Sequence, residues 1–269
     1  MAHASQKVRF GRDCEGFLYL PREETPAGAV VILHERYGLV QHTLDLAQRL
    51  ARDGYVALAP DLFSRWQGDR EALRSGAARV VLPDPEIAAV IDEALDFLKT
   101  HPRVAAASIA LMGVCQSGRY PIVVGSRRRD LAGCVVFYGG AQQRDWQVSD
   151  LQPQPMQEMM RRLAAPALFV FGERDHTISV DDVRRTRAAL EDGRRSYRMK
   201  VFPDMPHGWL NDTMPGRYRP QEAEQAWRVL HTFLAEVFSG SWPGVGQVRW
   251  EFESATSVDY DFTKNMRLA

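Results

Sequence analysis

The feature that most constrains the fold of this chain is a short turn around a cysteine, between a predicted strand and a predicted helix. The apolar run at residues 108–112 is typical of a buried strand, and Gly-Val-Cys-Gln-Ser follows it at residues 113–117. A strand that turns sharply into a helix strains the backbone of the residue at the apex, so the residues two positions before and after the apex must be small. The pattern therefore predicts a strained turn that presents one nucleophilic side chain.

The register of the small residues assigns the apex to Cys115. Gly113 and Ser117 flank Cys115 at the two required positions, whereas an apex at Ser117 would place Arg119 in a position that it fits badly. At the apex the thiol would lie at a helix N-terminus, where unpaired N–H groups and the helix dipole favour a thiolate. The alternative is a buried structural cysteine after a core strand, which describes most free cysteines. Whether Cys115 is a nucleophile or a structural cysteine depends on which other residues accompany it.

Apolar segments alternate with amphipathic segments along most of the chain. Residues 7–20 are consistent with a hairpin of edge strands, short apolar runs predict buried strands, and helical spacing between them predicts helices, most clearly at residues 84–100. Such alternation forms a mostly parallel sheet with helices on both faces, so the predicted fold class is α/β. The predicted strands lie at residues 29–33, 55–59, 108–112, 131–137, 166–171 and 197–202, and further helices lie near residues 116–127, 155–163, 180–191 and 220–238.

The C-terminal end of the chain departs from this pattern. Val248, Trp250 and Phe252 alternate as in a strand, and acidic and small residues follow them. We therefore predict one domain over residues 1–240 and a C-terminal extension over residues 241–269. The apolar side chains of the extension are expected to pack on their own domain or on a partner subunit, which makes a homodimer plausible.

The composition narrows the classes of function. The 269 residues are 45% hydrophobic, and 34 basic side chains balance 34 acidic ones, so the charge gives no reason to expect binding to nucleic acid or to an anionic membrane. The three cysteines have neither a disulfide framework nor metal-site spacing, which favours a reducing compartment. The N-terminus lacks the apolar core of a signal peptide, and no apolar run reaches the roughly 20 residues that span a bilayer. We expect a cytoplasmic protein.

Three residue types that cooperate in nucleophilic catalysis follow the carboxyl ends of predicted strands. In chain order they are Cys115, Asp175 and His207, which is the order nucleophile, acid and base. His207 would take the thiol proton and later donate it to the leaving group, while Asp175 would fix the imidazole tautomer and stabilise its charged form. The backbone N–H groups of Gln116 and Arg36 are the expected donors to an oxyanion.

Each of these residues also has an ordinary structural interpretation. Asp175 could be a loop carboxylate or the cap of the next helix, His207 could occupy a surface turn, and Glu35 could be solvated. His34 and His176 are better explained as structural or supporting residues than as catalytic ones. Three correct residue types at three correct strand ends are hard to produce by accident, so the joint pattern favours catalysis.

Several motifs give the chain a specific resemblance to the dienelactone hydrolases, also called carboxymethylenebutenolidases, over most of residues 10–238. That family belongs to the α/β-hydrolase superfamily, so the resemblance implies an α/β-hydrolase fold. A cysteine in the turn, instead of the usual serine, separates this family from most α/β-hydrolases. The matching motifs are HERYG at residues 34–38, GYVALAPDL at 54–62, GVC at 113–115, FYGG at 137–140, FGERD at 171–175 and PHG at 206–208.

The resemblance also implies the mechanism. It points to a triad of Cys115, His207 and Asp175, and it adds a role for Glu35, whose counterpart in the family pairs with the resting thiol and takes its proton when substrate arrives. It implies attack on a lactone carbonyl, a thioester acyl-enzyme and hydrolysis to the ring-opened acid, with neither a metal nor an organic cofactor. The expected partner is a small-molecule lactone or ester.

The substrate-binding residues carry over less completely than the catalytic ones. Known members grip the substrate carboxylate with arginines, one of them four positions after the catalytic histidine, where this chain has Asn211. Asn211 and Tyr138 are the positions that we assign to substrate contact. The sequence leaves the second arginine open among Arg65, Arg70, Arg74 and Arg79.

Two other functions stay open from the sequence. The same fold could serve a ligand or redox sensor that uses Cys115 for capture, although a binder does not need a histidine oriented by an aspartate. The same residues could also perform isomerisation or the cleavage of a C–C or thioester bond. Esterase turnover that disappears in Cys115→Ala would exclude the sensor, and a substrate screen would separate the reactions.

Overall fold

In the part of the chain that the structure describes, nine strands form one central sheet. The computed structural model describes residues 5–243 and 247–255. Most of the apolar runs in the sequence become strands that are buried on both faces, as expected of strands in a parallel sheet covered by helices. The strands are β1 (Ser5–Phe10), β2 (Cys14–Tyr19), β3 (Ala27–Leu33), β4 (Val56–Pro60), β5 (Val104–Val114), β6 (Gly133–Phe137), β7 (Ala167–Gly172), β8 (Tyr197–Phe202) and β9 (Trp250–Ser254).

The strand order across the sheet is β1-β2-β4-β3-β5-β6-β7-β8-β9. β2 pairs antiparallel with both of its neighbours, and the remaining neighbouring pairs are parallel. The carboxyl ends of β3 to β9 therefore meet at the same edge of the sheet, which is where ligands bind in α/β folds. This arrangement confirms the predicted α/β-hydrolase fold with a mostly parallel central sheet.

Seven α-helices within the described ranges cover the two faces of the sheet. On one face, Leu46 and Trp227 belong to a buried cluster with the strands, and on the other face Ile91, Met160 and Val183 do so. Among the described residues, no helix has both the length and the apolar character needed to cross a membrane. The helices are α1 (Gln41–Arg52), α2 (Arg70–Ser75), α3 (Asp84–Lys99), α4 (Tyr120–Gly125), α5 (Met156–Arg161), α6 (Val180–Asp192) and α7 (Pro220–Ser239).

The segment after β5 differs from the single helix predicted over residues 116–127. It consists of a 3-10 helix, Cys115–Arg119, followed by the short α4. The N–H of Tyr120 bonds the carbonyl of Ser117, which is the tighter spacing of a 3-10 helix, and Pro121 has no N–H to donate to that carbonyl. The tight turn and the proline together explain the difference.

The C-terminal segment adds a strand to the edge of the sheet. β9 pairs in parallel with β8, with Tyr197 opposite Trp250 and Met199 opposite Phe252. The described part of the predicted extension thus lies against its own sheet. The rest of that extension, at residues 244–246 and 256–269, lies outside the described residues.

Trp242 should anchor the chain just after α7. It is 4% exposed, and its ring centroid lies 5.4 Å from that of Phe233. Because truncation of a buried aromatic side chain leaves a cavity, we expect Trp242→Ala to lower the free energy of unfolding by about 3 kcal/mol in a urea titration. As a control, Trp250 is 49% exposed, and Trp250→Ala should cost clearly less. Equal losses in the two variants would contradict the assignment.

Candidate active site

The residues predicted to be catalytic lie around a cavity of about 620 Å³ at the carboxyl edge of the sheet. Glu35 and Arg36 follow β3, Cys115 follows β5, and His207 lies on the loop after β8, and all four line the cavity. Asp175 follows β7 and is 1% exposed. Within residues 5–243 and 247–255, no group of three or more His, Cys, Asp or Glu side chains could hold a metal ion.

The turn at Cys115 has the strained geometry that the small flanking residues predict. Cys115 has a φ of +54°, in the left-handed region that non-glycine residues rarely occupy. A Cβ on Gly113 would lie 2.3 Å from the carbonyl oxygen of Ser117, and a Cβ on Gly139 would lie 2.2 Å from that of Cys115. Glycine is therefore required at both positions, because backbone atoms already occupy the space that a side chain would need.

Ser117 has a structural role in the turn. Its hydroxyl accepts the N–H of Val114 at 3.1 Å and lies 2.9 Å from the carbonyl of Val114 and 3.2 Å from the carbonyl of Leu33, to which it can donate. The side chain is 2% exposed. Ser117 thus joins the turn to the end of β3, and Cys115, not Ser117, borders the cavity.

Cys115, His207 and Asp175 form a continuous chain of contacts. His207 Nε2 lies 3.2 Å from Cys115 Sγ, and His207 Nδ1 lies 2.8 Å from Asp175 Oδ2. The other oxygen of Asp175 accepts the N–H groups of Thr177 and Ile178 at 2.7 and 3.0 Å. These backbone donors fix the carboxylate, so the imidazole has one favoured orientation between the carboxylate and the thiol.

The charges in this chain of contacts shift the pKa values of both buried groups. Burial opposes the charged form of His207, but the charges of Asp175 and Cys115 raise its pKa well above the ordinary value. Burial likewise opposes ionisation of Asp175, yet the nearby His207 keeps the pKa of that carboxyl below its usual range. The pair therefore favours a protonated imidazole beside an ionised carboxylate.

Glu35 and Asn211 form a second buried contact at the site. Glu35 is 4% exposed, and its Oε2 accepts a hydrogen bond from Asn211 Nδ2 at 2.7 Å. Asn211 Oδ1 in turn accepts the backbone N–H of Thr213 at 3.0 Å. Glu35 lines the cavity, but Asn211 does not. The amide is held behind the carboxylate, so the structure does not support the predicted substrate contact of Asn211.

Tyr138 also lies behind the cavity wall. It is fully buried, its ring centroid lies 5.3 Å from that of His207 and 5.1 Å from that of Trp209, and it does not line the cavity. Tyr138 therefore does not border the cavity directly, and its contact with substrate stays a prediction. Its position instead supports the ring of His207 from behind.

Gln116 and Arg36, the expected oxyanion donors, both line the cavity. The backbone N–H of Gln116 lies in the first turn of the 3-10 helix that starts at Cys115, where amide groups point out of the helix. The side-chain Nε2 of Gln116 donates to the carbonyl of Val80 at 2.8 Å. The side chain therefore points toward the segment between α2 and α3, and the backbone N–H is the group available to an oxyanion.

The two further histidines differ in their surroundings. His34 is 1% exposed, and its Nε2 accepts the backbone N–H of Leu62 at 3.1 Å, which leaves Nδ1 to donate to the carbonyl of Glu35 at 2.7 Å. It therefore ties the end of β3 to the segment after β4. His176 lines the cavity, with its ring centroid 5.7 Å from that of His207, and burial lowers its pKa.

The structure separates the four arginines that the sequence left open. Of Arg65, Arg70, Arg74 and Arg79, only Arg79 lines the cavity. The other three form ion pairs away from it, which are Arg65 with Glu93, Arg70 with Asp61 and Arg74 with Glu71. Arg79 is therefore the one of the four that can meet a substrate.

The cavity wall after β6 was not predicted from the sequence, and neither was the role of Arg119, which holds that wall in place. Gln142, Arg144 and Gln147 line the cavity from this wall, and Arg217 lines it from the segment before α7. No motif marks them, because the direction of a loop side chain depends on tertiary contacts. Arg119, four residues after Cys115, was a usable signal, since a charged residue so close to a buried turn needs a partner.

Arg119 is buried and connects the turn to this wall. Its Nε donates to the two oxygens of Asp84 at 2.8 and 3.0 Å, and its Nη1 donates to the backbone carbonyl of Asp145 at 3.1 Å. Burial raises the pKa of Asp145 to about 6, although the charge of Arg119 acts in the opposite direction. The guanidinium thus holds the segment that carries Arg144 against the segment that carries Cys115.

One thiol of the three should react quickly at neutral pH. Burial raises the pKa of Cys14 and of Cys134 to about 12, so both stay protonated, whereas Cys115 lines the cavity beside His207. We expect iodoacetamide to label the native protein at Cys115 and Cys115→Ala to lose this label, as read from peptide masses. Rapid labelling of either buried thiol would refute this assignment.

The charge of His207 should depend on Asp175. Asp175→Asn removes a charge that raises the pKa of His207 and leaves the opposing effect of burial in place. In a ¹⁵N NMR titration, we expect the imidazolium of the variant to lose its proton at lower pH than in the wild type. Asp53→Asn, which removes the carboxylate 2.9 Å from His231, is the matched control and should leave the titration of His207 unchanged. An unchanged titration in Asp175→Asn would count against the ion pair.

Comparisons with known proteins agree with this geometry. The profile of the dienelactone hydrolase family matches residues 14–238. A protein of Methylorubrum extorquens, provisionally named a carboxymethylenebutenolidase, is 28% identical over 81% of this chain and 75% of its own length. Its counterpart in Escherichia coli K12, named in the same way, is 28% identical over 79% of this chain and 78% of its own length.

Two solved structures share the fold. One, provisionally named a dienelactone hydrolase from Klebsiella pneumoniae, superposes with a TM-score of 0.78 at 24% identity and covers 88% of this chain and 100% of its own. The other is P91, a dienelactone hydrolase-like promiscuous phosphotriesterase from metagenomic libraries, with a TM-score of 0.72 at 19% identity over 88% of this chain and 99% of its own. With a family match over residues 14–238, the chain belongs to the dienelactone hydrolase family and is a hydrolase that acts on ester or lactone bonds.

Proposed function

We propose that this hydrolase uses Cys115 as its nucleophile and opens a dienelactone-like lactone, or cleaves a small activated ester, through a thioester acyl-enzyme. The observation that carries the proposal is the contact of His207 Nε2 with Cys115 Sγ at 3.2 Å, with Asp175 bonded to the far side of the imidazole. A histidine in this position can move a proton between the thiol and a leaving group. A structural cysteine would need neither the histidine nor its buried carboxylate.

In the first half of the reaction, Glu35 takes the proton of the Cys115 thiol, and the resulting thiolate attacks the carbonyl carbon of the substrate while His207 stays protonated. The carbonyl oxygen becomes an oxyanion, for which the backbone N–H groups of Gln116 and Arg36 are the proposed donors. Collapse of this intermediate breaks the bond between the carbonyl carbon and the ester or ring oxygen. His207 donates its proton to that oxygen, and the acyl group stays on Cys115 as a thioester.

In the second half, water replaces the leaving group. His207, now neutral, takes a proton from a water molecule as the water attacks the thioester carbonyl. The bond between carbon and sulfur breaks, and the carboxylic acid leaves. Glu35 then returns its proton to the Cys115 thiolate, so that the thiol, Glu35 and the protonated His207 are restored. Asp175 holds the imidazole in one orientation through both halves and stabilises its positive charge.

Glu35 is proposed to interact with the thiol before substrate binds. The family resemblance implies this role, and the position of Glu35 supports it, since the carboxylate is buried, borders the cavity beside Cys115 and is held by Asn211. In this proposal, Glu35 accepts the proton of the resting thiol when substrate arrives, and Asn211 keeps the carboxylate aimed into the cavity.

The decisive experiment compares cleavage of a dienelactone and of p-nitrophenyl acetate by the wild type and by Cys115→Ala. Loss of the nucleophile should reduce kcat for both substrates by about 10³-fold or more. A rapid-quench mass spectrum of the wild type should show the acyl group on the peptide that contains Cys115. Cys14→Ala removes a thiol outside the cavity and is the matched control, which should keep both activities.

The possible outcomes separate the competing functions. Cleavage of only the simple ester would keep the cysteine mechanism and reject the dienelactone-like substrate. Full activity of Cys115→Ala would reject the nucleophile. If the wild type cleaved neither substrate and formed no acyl adduct, the cysteine hydrolase proposal would fail, and a ligand or redox sensor would explain the site better.

Location and assembly are also proposed. Cys14, Cys115 and Cys134 are all free thiols, which fits a reducing compartment such as the cytoplasm. We keep the division into a domain over residues 1–240 and an extension over 241–269 and propose a homodimer. Sedimentation and a urea titration of the full chain and of a chain that ends at Ser241 test both. A monomeric mass for each chain would reject the dimer, and equal stability of the two would reject packing of the extension on the domain.

A further inference from the structure

Four arginines line the cavity together with a single carboxylate, that of Glu35. They are Arg36, Arg79, Arg144 and Arg217, and they come from four separate segments of the chain at the carboxyl edge of the sheet. Among the described residues, none of the four has a carboxylate within the 4.0 Å of an ion pair. The cavity therefore holds a clear excess of positive charge that the protein itself leaves unbalanced.

This excess is a local property, because the whole chain has as many acidic as basic side chains. Arginines elsewhere are commonly paired with carboxylates, as Arg65 is with Glu93 and Arg128 with Asp130. Cations without partners around a concave site attract anions and raise their local concentration. The unpaired guanidinium groups thus point to an anionic ligand in this cavity.

The remaining wall of the cavity is largely polar. Gln142, Gln143 and Gln147 supply side-chain amide groups, while Met214 is one of the few apolar side chains. Pockets for apolar ligands have mostly hydrophobic and aromatic linings, so this wall does not fit an apolar acyl chain. A substrate with several charged or hydrogen-bonding groups fits it better.

The segments that carry Arg79 and Arg144 are each held in place by a hydrogen bond from another side chain. The side chain of Gln116 bonds the carbonyl of Val80, next to Arg79, at 2.8 Å. Arg119 bonds the carbonyl of Asp145, next to Arg144, at 3.1 Å. The residues that hold these segments lie one and four positions after Cys115 in the chain, so the positive groups are positioned relative to the nucleophile before any ligand binds.

From this arrangement we infer that the natural substrate is a lactone or ester whose acid portion carries at least two negative charges. The inference rests on the proposed hydrolase function and specifies the substrate class of that site. A neutral substrate gives none of these four guanidinium groups an ion pair, and a single carboxylate can form a bidentate pair with only one of them. Two anionic groups can engage arginines from different segments and so orient the carbonyl toward Cys115.

A graded series of lactones with the same ring tests this inference. The series is γ-butyrolactone, its γ-carboxylate and its β,γ-dicarboxylate, and each kcat/KM is divided by the rate of hydroxide-catalysed opening of the same compound. We expect the normalised kcat/KM to rise about tenfold with each added carboxylate at low ionic strength, as for charge-assisted hydrogen bonds. The advantage should shrink as salt is added, because salt screens the exposed charges.

Charge-removing variants test which arginines act. Arg79→Gln and Arg217→Gln should each reduce the ratio of kcat/KM between the dicarboxylate and the uncharged lactone by about tenfold. Arg129→Gln removes the same charge from an exposed arginine outside the cavity and should leave the ratio unchanged. Equal normalised kcat/KM values across the series, or an unchanged ratio in both cavity variants, would overturn the inference and leave the hydrolase proposal intact.

A second readout does not depend on turnover of these lactones. At constant ionic strength, tricarballylate should slow the labelling of Cys115 by iodoacetamide at lower concentrations than acetate does, because it can engage several arginines at once. Equal protection by the two anions would overturn the inference. If neither a lactone nor p-nitrophenyl acetate acylates Cys115, the hydrolase proposal fails, whatever the result of the protection measurement.

Discussion

The backbone strain at Cys115 is the constraint on which the rest of the site depends. A residue with a φ of +54° stays in that conformation only if its surroundings over-determine it. Here Gly113 lets the chain double back against Ser117, and the hydroxyl of Ser117 joins the turn to the end of β3. The same contacts place the thiol at the start of a 3-10 helix and bring the segment of Glu35 beside it.

The other residues proposed to be catalytic reach Cys115 because the sheet is parallel. Each group follows the carboxyl end of a different strand, so its position depends on strand register more than on its own loop. Asp175 is fixed by the backbone N–H groups of Thr177 and Ile178, and it orients His207 in turn. Burial opposes the charge on both residues, and the charge of each stabilises the charge of the other.

The sequence was informative wherever a local pattern had one structural solution. Buried strands appear as apolar runs, and the small residues around Cys115 leave one register for the turn, so the sheet and the strained turn at Cys115 could be predicted. The contact between Asn211 and Glu35 could not, because an asparagine four positions after His207 can face either the cavity or the protein. Arg144 and Arg217 were missed for the same reason, since loop side chains follow tertiary contacts, not periodicity.

The direction of β9 has a practical consequence for anyone who modifies this chain. Because β9 runs parallel to β8, which precedes His207, the polypeptide leaves the sheet at Ser254 on the same edge as the catalytic cavity. A fluorophore or spin label attached at Ala255 would therefore sit on the active-site side of the molecule. A label near Ser5 would lie at the start of β1, on the opposite lateral border of the sheet, so the two positions provide a reporter and its distant reference.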